Sequence, residues 1–356
     1  MSLDSPRNPL ATSNVASLTA DRSSTAAKNT QTRNAQTRNA QTRNAKVPAG
    51  AFQPSHPINL NGRAVLLATD GSAGDAAATR VAMSLATKYH AVIHVISVID
   101  TRAVPFPPAF DLALAIGVPD SAVVSDQKEV QEVRAALAVA TGHPIDWPIH
   151  VALGAPATTI ADEAQRLGVA LVIVGLHRHG RVDRTLNNET ALNVMRHASC
   201  PVLGVVPGMT ELPVRVLAAM DFGDTSLVAA RMACAVVGDG AVLVMAYVPP
   251  LTALLFDQGE KVIHDLGVHA AFAQASRALD GEGITFDHVV LHHELPRTTA
   301  EMLLDYADSA KSDLLVAGSA RHGRLERWMI GSVSTDLVQE GRHSVLIVPP
   351  LDSQRP

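Results

Sequence analysis

The stretch Leu171-Val-Ile-Val-Gly-Leu-His-Arg-His-Gly-Arg181 occurs a second time in altered form, as Leu314-Leu-Val-Ala-Gly-Ser-Ala-Arg-His-Gly-Arg324. Each copy is an apolar run that ends on a glycine and opens into a basic loop, and a second apolar run ending in proline follows each. A strand that leads through glycine into a basic loop can cradle a phosphate, because glycine lets backbone amides approach an anion. Two copies in one chain indicate an internal duplication.

The duplication extends to the strands and helices that precede each copy. Short apolar runs alternate with segments whose apolar residues recur with the period of a helix. The strands predicted ahead of the two copies span residues 64–69, 91–98, 149–153, 214–220, 241–248 and 288–292. Apolar strands that alternate with helices predict a parallel sheet covered on both faces. We therefore expect an α/β fold of two tandem, open, five-stranded parallel-sheet sandwiches, over residues 58–208 and 213–350.

Residues 1–57 differ from the rest of the chain in composition. They are rich in Ser, Thr, Asn, Ala and Arg, and the pentad Gln-Thr-Arg-Asn-Ala occurs three times in succession over residues 31–45. Such a segment buries too little apolar surface to offset the entropy of the chain, so we expect a disordered tail. Its arginines could contact an anionic surface, or the tail could simply be solvated.

The composition excludes several classes of protein. A net charge of -5 gives no basic field for nucleic acid, and no apolar run reaches the roughly 18 residues that a membrane-spanning helix needs. The two cysteines, Cys200 and Cys234, are too few for a disulfide framework and fit a reducing compartment. The N-terminus has no apolar leader segment. We therefore expect a cytoplasmic protein without a nucleic-acid or membrane partner.

An aspartate follows the first strand of each unit. Asp70 begins a turn of sequence Asp-Gly-Ser, and Asp221 begins a turn of sequence Asp-Phe-Gly. Ligands of parallel sheets bind beyond the carboxyl ends of the strands, where both aspartates are expected. Each aspartate either contacts a ligand or caps its turn and the following helix, and both roles stay open. The connections 101–125 and 249–259 are each either a lid over this edge or a plain connection.

These features together resemble the universal stress proteins, and specifically a tandem member with two such domains in one chain. The resemblance covers residues 62–208 and 213–350. It rests on an aspartate after the first strand, a glycine-containing loop after the fourth, and a closing Pro-Val-Leu or Ser-Val-Leu strand. It implies an adenine-nucleotide α-hydrolase-like fold. In members that bind a nucleotide, the loop reads glycine, two residues, glycine, nine residues, and glycine followed by serine or threonine.

The second unit keeps most of this loop pattern. Gly318 and the pair Gly331-Ser332 match it, whereas Arg321 stands where the second glycine is expected. The hydroxyls of Ser332 and Ser334 could donate to a phosphate or cap the helix. The resemblance therefore implies an ATP site in the second unit, which Mg²⁺ could accompany. The residues implied are Asp221, Ala246, Gly318, Arg321, Gly323, Gly331, Ser332, Val333 and Ser334.

The first unit departs further from the pattern. Gly175 is kept, but Arg178 replaces the second glycine, and Asn188-Glu189 replace the final glycine and serine. A glutamate at the start of a helix is favourable there by about 0.3–1 kcal/mol and would take the place of a phosphate. We therefore expect a degenerate site in the first unit. Arg178 and its counterpart Arg321 either block the cradle or supply a guanidinium fork for phosphate.

The last strand of each unit offers a way to pair the two units. The family usually dimerises through these strands, so the resemblance implies an intrachain pseudo-dimer in which Val202–Val206 lies beside Val345–Val348. Such pairing would also cover two exposed strand edges. A further homodimer of the whole chain stays open.

The resemblance implies a stress-response protein that binds ATP in its second domain, with a mainly architectural first domain. The alternative is a nucleotide-free interaction scaffold in which both sites are degenerate. An enzyme of the wider hydrolase-like superfamily fits less well, because the Ser-Gly-Gly phosphate motif is missing after both first strands. No general base is evident, so at most slow ATP hydrolysis is expected. The pairs His177/His179 and His292/His293 favour loop positions over a metal site, and Cys200 favours packing over reactivity.

Overall fold

The computed structural model describes residues 59–100, 127–176, 184–279, 283–293, 296–319 and 331–350. The expected tail, the 101–125 connection and both basic loops of the repeated phrase, 177–183 and 320–330, lie outside the described residues. Within the described part, no helix combines the length and the apolar character that crossing a bilayer requires.

Strands and helices alternate along the described chain, as the sequence pattern predicts. The strands span Ala64–Ala68 (β1), Val92–Asp100 (β2), Ile149–Gly154 (β3), Leu171–Gly175 (β4), Val202–Val205 (β5), Arg215–Met220 (β6), Val242–Tyr247 (β7), Thr285–Val290 (β8), Leu314–Gly318 (β9) and Ser344–Val348 (β10). The α-helices span Ala76–Tyr89 (α1), Gln127–Thr141 (α2), Pro156–Leu167 (α3), Arg184–His197 (α4), Asp224–Cys234 (α5), Gln258–Ala278 (α6), Thr299–Ala310 (α7) and Ser332–Glu340 (α8). Short 3-10 turns at Ala73–Asp75 and Leu251–Leu255 precede α1 and α6.

The strands form one continuous sheet in the order β3-β2-β1-β4-β5-β10-β9-β6-β7-β8. Within each half all described neighbours are parallel, whereas β5 and β10 pair antiparallel, with Leu203 opposite Leu346. The expected pairing of the last strands is thus confirmed, and the two five-stranded sandwiches are halves of a ten-stranded sheet. The glycine at position 204 of this seam leaves room for the side chain of Leu176, because a Cβ there would approach Leu176 Cδ1 to 2.8 Å.

Helices cover the sheet on both faces, and each face carries an apolar cluster that runs through both halves. One cluster takes its helical residues from α1, α2, α5 and α6, including Leu85 and Phe272. The other takes them from α3, α4, α7 and α8, including Leu303 and Val338. The central strands are apolar throughout because they meet a helical layer on each side.

The third strand of the second half was predicted at residues 288–292, and this position is wrong. The strand is β8, which begins at Thr285 opposite Val242 of β7 and ends at Val290. β8 is the edge strand of the sheet and is only half buried, so its first residues carry no apolar run. The prediction was therefore placed on the apolar residues near the end of β8, which is too late in the sequence. His292 and His293 come after the strand.

An ion cluster in the first half makes the free energy of unfolding depend on pH in the acidic range. The buried carboxylate of Glu163 in α3 accepts two hydrogen bonds from the guanidinium of Arg166, each 2.7 Å long. His150 Nδ1 lies 3.2 Å from the same carboxylate. The hydrogen bonds from Arg166, and secondarily the charges of His150 and Arg166, lower the pKa of Glu163 against the opposing effect of burial.

We expect Glu163→Gln to flatten the loss of stability in acid. A carboxyl whose folded pKa lies below its unfolded value stabilises the fold above about pH 4.3 and loses that effect as the pH falls through the folded pKa. Urea unfolding of wild type and variant at pH 7, 5, 4 and 3 should therefore show a free-energy difference that shrinks towards pH 3. A constant difference across this series would contradict the assignment.

Candidate functional site

Two equivalent clefts lie at the points where the strand order reverses. In the first half β1 lies between β2 and β4, and in the second half β6 lies between β7 and β9. The chain leaves the carboxyl ends of such neighbouring strands towards opposite faces, which opens a crevice for a ligand. Asp70 and Asp221 lie just beyond β1 and β6, at the mouths of these clefts.

Both aspartates cap the turns that they begin. Asp70 Oδ1 accepts a hydrogen bond from Ser72 N, and Asp221 Oδ1 accepts one from Gly223 N, each at 2.8 Å. The next residue has a positive φ in both turns, +76° at Gly71 and 59° at Phe222. Turn capping therefore accounts for both aspartates, and the ligand role predicted for Asp221 stays a prediction.

The first-half cleft contains a cavity of about 230 Å³. Its wall includes Ile96 of β2, Val174 of β4 and the carboxylates of Asp70 and Asp75. Asp75 is 5% exposed, and its Oδ2 accepts a hydrogen bond of 3.1 Å from Asp70 N. Two acidic side chains therefore line one wall of this cavity.

The side chains at the corresponding positions of the second half are smaller, and fewer of them are acidic. Because Ala68 pairs with Ile96 and Ala219 with Ala246, the floor position occupied by Ile96 in the first half is Ala246 in the second. In the same comparison of the two halves, Ala317 corresponds to Val174, and Ser226 corresponds to Asp75. Ala246 is 1% exposed, so it forms the floor of the position rather than its rim.

The last helix of the second half brings several of the predicted residues together. Helix α8 begins at Ser332 with Gly331 as its N-cap, and its first hydrogen bond runs from Thr335 N to Gly331 O at 3.0 Å. The amides of residues 332–334 therefore precede the helix's own hydrogen-bond ladder. Ser334 is buried, and its hydroxyl lies 3.5 Å from the carbonyl oxygen of Gly318.

The structure thus groups part of the predicted site. Gly318, Ser334 and the start of α8 are adjacent, Ser332 is exposed and Val333 half-buried. Asp221 lies at the end of the neighbouring strand β6, and Ala246 on β7. Arg321 and Gly323 lie outside the described residues.

Sequence reasoning missed the contact between Gly318 and Thr225. A Cβ on Gly318 would lie 2.8 Å from Thr225 Cγ2 and 2.9 Å from the Thr225 backbone oxygen. The first turn of α5 therefore packs directly on the end of β9, and this packing alone requires a glycine. The one sign of this contact in the sequence is that Thr225 occupies the position that Gly74 has in the first half.

The reason given for degeneracy of the first site needs correction. Glu189 was expected at the start of a helix, but α4 begins at Arg184, so Glu189 lies in its second turn and is exposed. The macrodipole acts only within the first turn, so Glu189 gains little from it. The amides of Glu189 and Thr190 also follow at least one full helical turn, where amides bond within the helix. The position equivalent to Gly331-Ser332 is helix interior in the first half.

An aromatic cluster next to Asp221 was also missed. The rings of Phe222 and Tyr247 lie 5.1 Å apart, and those of Phe222 and Phe272 lie 4.9 Å apart, edge to face. Burial, and secondarily the charge of Asp221, raises the pKa of Tyr247. The ring contacts hold Phe222 at its positive φ, which costs roughly 1–2 kcal/mol in an L-residue, and so fix the turn that Asp221 begins.

Cys200 and the two histidine pairs are the remaining candidates for chemistry that the sequence offered. Burial raises the pKa of the Cys200 thiol to about 12, which keeps it protonated and unreactive. Among the residues that the structure describes, no three His, Cys, Asp or Glu side chains come close enough to hold a metal ion. His177 and His179 lie outside the described residues.

A duplicated, doubly wound α/β sheet, joined through its last strands and open at two strand-order reversals, defines the class of protein. The model of the universal stress protein family matches residues 62–206 and 214–349, so the chain belongs to this family. A universal stress protein from Archaeoglobus fulgidus DSM 4304 is 18% identical with a TM-score of 0.55, over 83% of this chain and 100% of that one. A putative universal stress protein from Pseudomonas aeruginosa UCBPP-PA14 is 16% identical with a TM-score of 0.50, over 81% and 93%. These likenesses show the fold alone. A search of curated protein sequences gives no match.

Proposed function

We propose that this universal stress protein binds an adenine nucleotide, ATP, in its second half, and that the first half is mainly architectural. The observation that carries the proposal is the start of α8, where the amides of residues 332–334 precede the helical ladder beside the end of β9. Amides in the first turn of a helix, together with the helix dipole, favour an anion such as a phosphate. Mg²⁺ could accompany the nucleotide.

The contrast between the halves supports the choice of the second. Ala246 and Ala317 leave more room than Ile96 and Val174 do at the equivalent positions. Ser226 stands where the first half has the buried Asp75, so the second half has one acidic side chain fewer at this position. In this proposal Ala246 forms the floor under the base, and Asp221 meets the base or ribose. Arg321 and Gly323 complete the phosphate loop on the resemblance alone.

A nucleotide-free interaction scaffold is the second candidate, and one contact favours it. Thr225 packs on Gly318, and Asp221 already accepts the hydrogen bond that closes its own turn. Both residues have structural roles that need no ligand. If the scaffold is correct, the purified protein carries no nucleotide and takes up none.

We expect Gly331→Glu to weaken ATP binding at least about tenfold, a loss of about 1.4 kcal/mol. The glutamate carboxylate would sit at the start of α8, where it is favourable for the helix and displaces a phosphate. No atom of the described residues lies within 4 Å of a Cβ built on Gly331, so the substitution should leave the fold intact. Gly331→Ala, which adds the Cβ without the charge, is the matched control. The measurements are mass spectrometry of an acid extract and calorimetric titration of ATP with and without Mg²⁺.

A second pair of variants tests which half binds. Asp70→Ala and Asp221→Ala each remove a carboxylate that accepts a 2.8 Å hydrogen bond from a turn amide, and urea unfolding of each variant measures its structural cost separately. Only Asp221→Ala should lower the affinity for ATP. Equal losses in both variants would contradict the assignment to the second half. Wild type that neither carries nor binds nucleotide would leave the scaffold.

A further inference from the structure

The first half of helix α6 is exposed over most of its surface. The helix has 21 residues, and within 258–267 every residue is exposed except His264, which is partly covered. Large apolar side chains lie on this part, with Val262 59%, Ile263 73% and Leu266 66% exposed. The 3-10 turn that leads into it adds Leu255 at 86%. A helix segment with so much exposed apolar surface is typical of an interaction site.

The apolar residues of α6 form two separate faces. The inner face is the buried set Val268, Ala271, Phe272 and Ala275. The outer face is exposed, and its small and apolar residues recur at intervals of four and three positions: Gly259, Ile263, Leu266, Ala270 and Ala273. Alternation of four and three is the 3.5-residue repeat by which one helix packs along another.

The fold itself does not require this outer face. Helix α2 of the first half precedes β3 as α6 precedes β8, and both contribute to the same apolar cluster. The outer residues near the start of α2 are exposed and polar: Lys128, Gln131 and Glu132. The same position in the duplicated architecture is therefore occupied by an ordinary amphipathic helix. Among the described residues, a group of large exposed apolar side chains near the start of this helix occurs in the second half alone.

We propose that the outer face of α6 is a self-association surface, which binds the α6 of a second copy of this chain in antiparallel orientation. With the two-fold axis at the level of Val268, Leu266 of one helix faces Ala270 of the other, and Ile263 faces Ala273. Large side chains thus meet small ones, as knobs meet holes. A parallel pair would instead place Ile263 and Leu266 against themselves and leave gaps at the alanines.

Charge complementarity favours the same orientation. In the antiparallel pair, Arg277 near the end of one helix lies opposite the first turn of the other. That turn carries Asp257 and Glu260, which form the capping box of their own helix, and Lys261; all three are exposed, and their net charge is -1. Each end of the pair therefore brings one arginine to a turn with a net negative charge, an arrangement that steers orientation. A parallel pair would bring like charges together.

The area is sufficient for a dimer of moderate affinity. The exposed apolar side chains of this segment present on the order of 600 Å² per chain, at the upper end of what a monomer usually leaves open. The contributing residues are Leu251, Leu254, Leu255, Val262, Ile263 and Leu266. With the 3-10 turn Leu251–Leu255 of each copy also packed against its partner beyond the end of the helix pair, two copies would cover on the order of 1,200 Å², the lower end of a standard interface. This inference does not depend on nucleotide binding.

Sedimentation equilibrium of the full chain tests the proposal. We expect wild type to dimerise, and the double variant Ile263→Glu/Leu266→Glu to weaken the dimer at least about 30-fold. Both positions are exposed, so the fold should survive, which circular dichroism and thermal melting will check. The matched control is Val139→Glu on α2, an apolar residue 84% exposed in the first half, which should leave the dimer unchanged.

Cross-linking tests the orientation. In a background with both native cysteines replaced by alanine, Leu266→Cys/Ala270→Cys should form a disulfide-linked dimer faster than Leu266→Cys alone. Faster linking by Leu266→Cys alone would overturn the antiparallel arrangement. A wild type that stays monomeric at 100 µM, or a dimer that survives the double glutamate variant, would overturn the surface itself. A monomer would assign α6 to a different partner.

Discussion

Replacing Leu346 by aspartate is expected to prevent the chain from reaching a stable fold. Leu346 is fully buried at the centre of β10, between β5 and β9, and faces Leu203 across the seam. An unpaired carboxylate at such a position costs several kcal/mol. That cost is comparable with the total stability of a typical domain, about 5–15 kcal/mol. The measurements are soluble yield and circular dichroism.

The milder Leu346→Ala separates two views of the seam. Truncating a buried leucine costs about 2–5 kcal/mol, so this variant should still fold and report its loss. Because β10 completes the sheet of both halves, amide hydrogen exchange should accelerate in β4 and β5 of the first half as well as in β9. The control is Val92→Asp, at a strand position 49% exposed, which should change little. Exchange that accelerates only in the second half would mean that the halves unfold independently.

The sheet and the seam could be predicted from the sequence because the information is local and repeated. Apolar runs such as Leu171–Gly175 and Leu314–Gly318 each form a buried strand. Because the chain is duplicated, each strand of one half supports the prediction of its counterpart in the other half. Pairing of the last strands followed from the resemblance and from the need to cover two edges. The bounds of strand β8 were predicted wrongly because an edge strand is half exposed and lacks the apolar run that marks a central strand.

The candidate site was less predictable, because its geometry depends on where helices begin. Aligning the two halves placed Glu189 at a helix start, but α4 already begins at Arg184, whereas α8 begins at Ser332. Gly331, the N-cap of α8, has no side chain that would mark the start of that helix in the sequence. The difference between the halves is thus larger than the substitutions alone indicate. At equivalent positions, the amides lie before the hydrogen-bonded turns of α8 in the second half but inside α4 in the first half.

Helix packing on strand ends was equally hidden from the sequence. Thr225 meets Gly318 only after α5 folds back onto β9, so no motif contains both residues. The glycine that the resemblance assigned to a phosphate loop therefore has a packing role as well. A substitution at Gly318 must be interpreted with both roles in view, and stability must be measured before affinity.

We expect Gly318→Val to destabilise the protein by roughly 3 kcal/mol, since overpacking typically costs 1–3 kcal/mol and here meets backbone. The added Cβ would lie 2.8 Å from Thr225 Cγ2, and 2.9 and 3.0 Å from the Thr225 carbonyl oxygen and carbon. The methyl group can rotate away, but the backbone at the start of α5 cannot move without displacing the helix. Urea unfolding of the variant, with nucleotide absent, measures this loss.

Two companions decide whether backbone contact is the cause. Gly318→Ala/Thr225→Ser removes the methyl but keeps the backbone contacts, so it should recover only part of the stability that Gly318→Ala loses. Full recovery would show that the side chain alone sets the limit. Gly331→Ala, where a Cβ meets no atom within 4 Å in the part of the chain that the structure describes, should cost about 1 kcal/mol or less as an altered N-cap. The two glycines belong to one sequence motif, yet only Gly318 should prove essential for folding, because α5 rests on it. An effect of Gly331 substitutions on ATP without a comparable loss of stability would therefore isolate the phosphate role from the packing role.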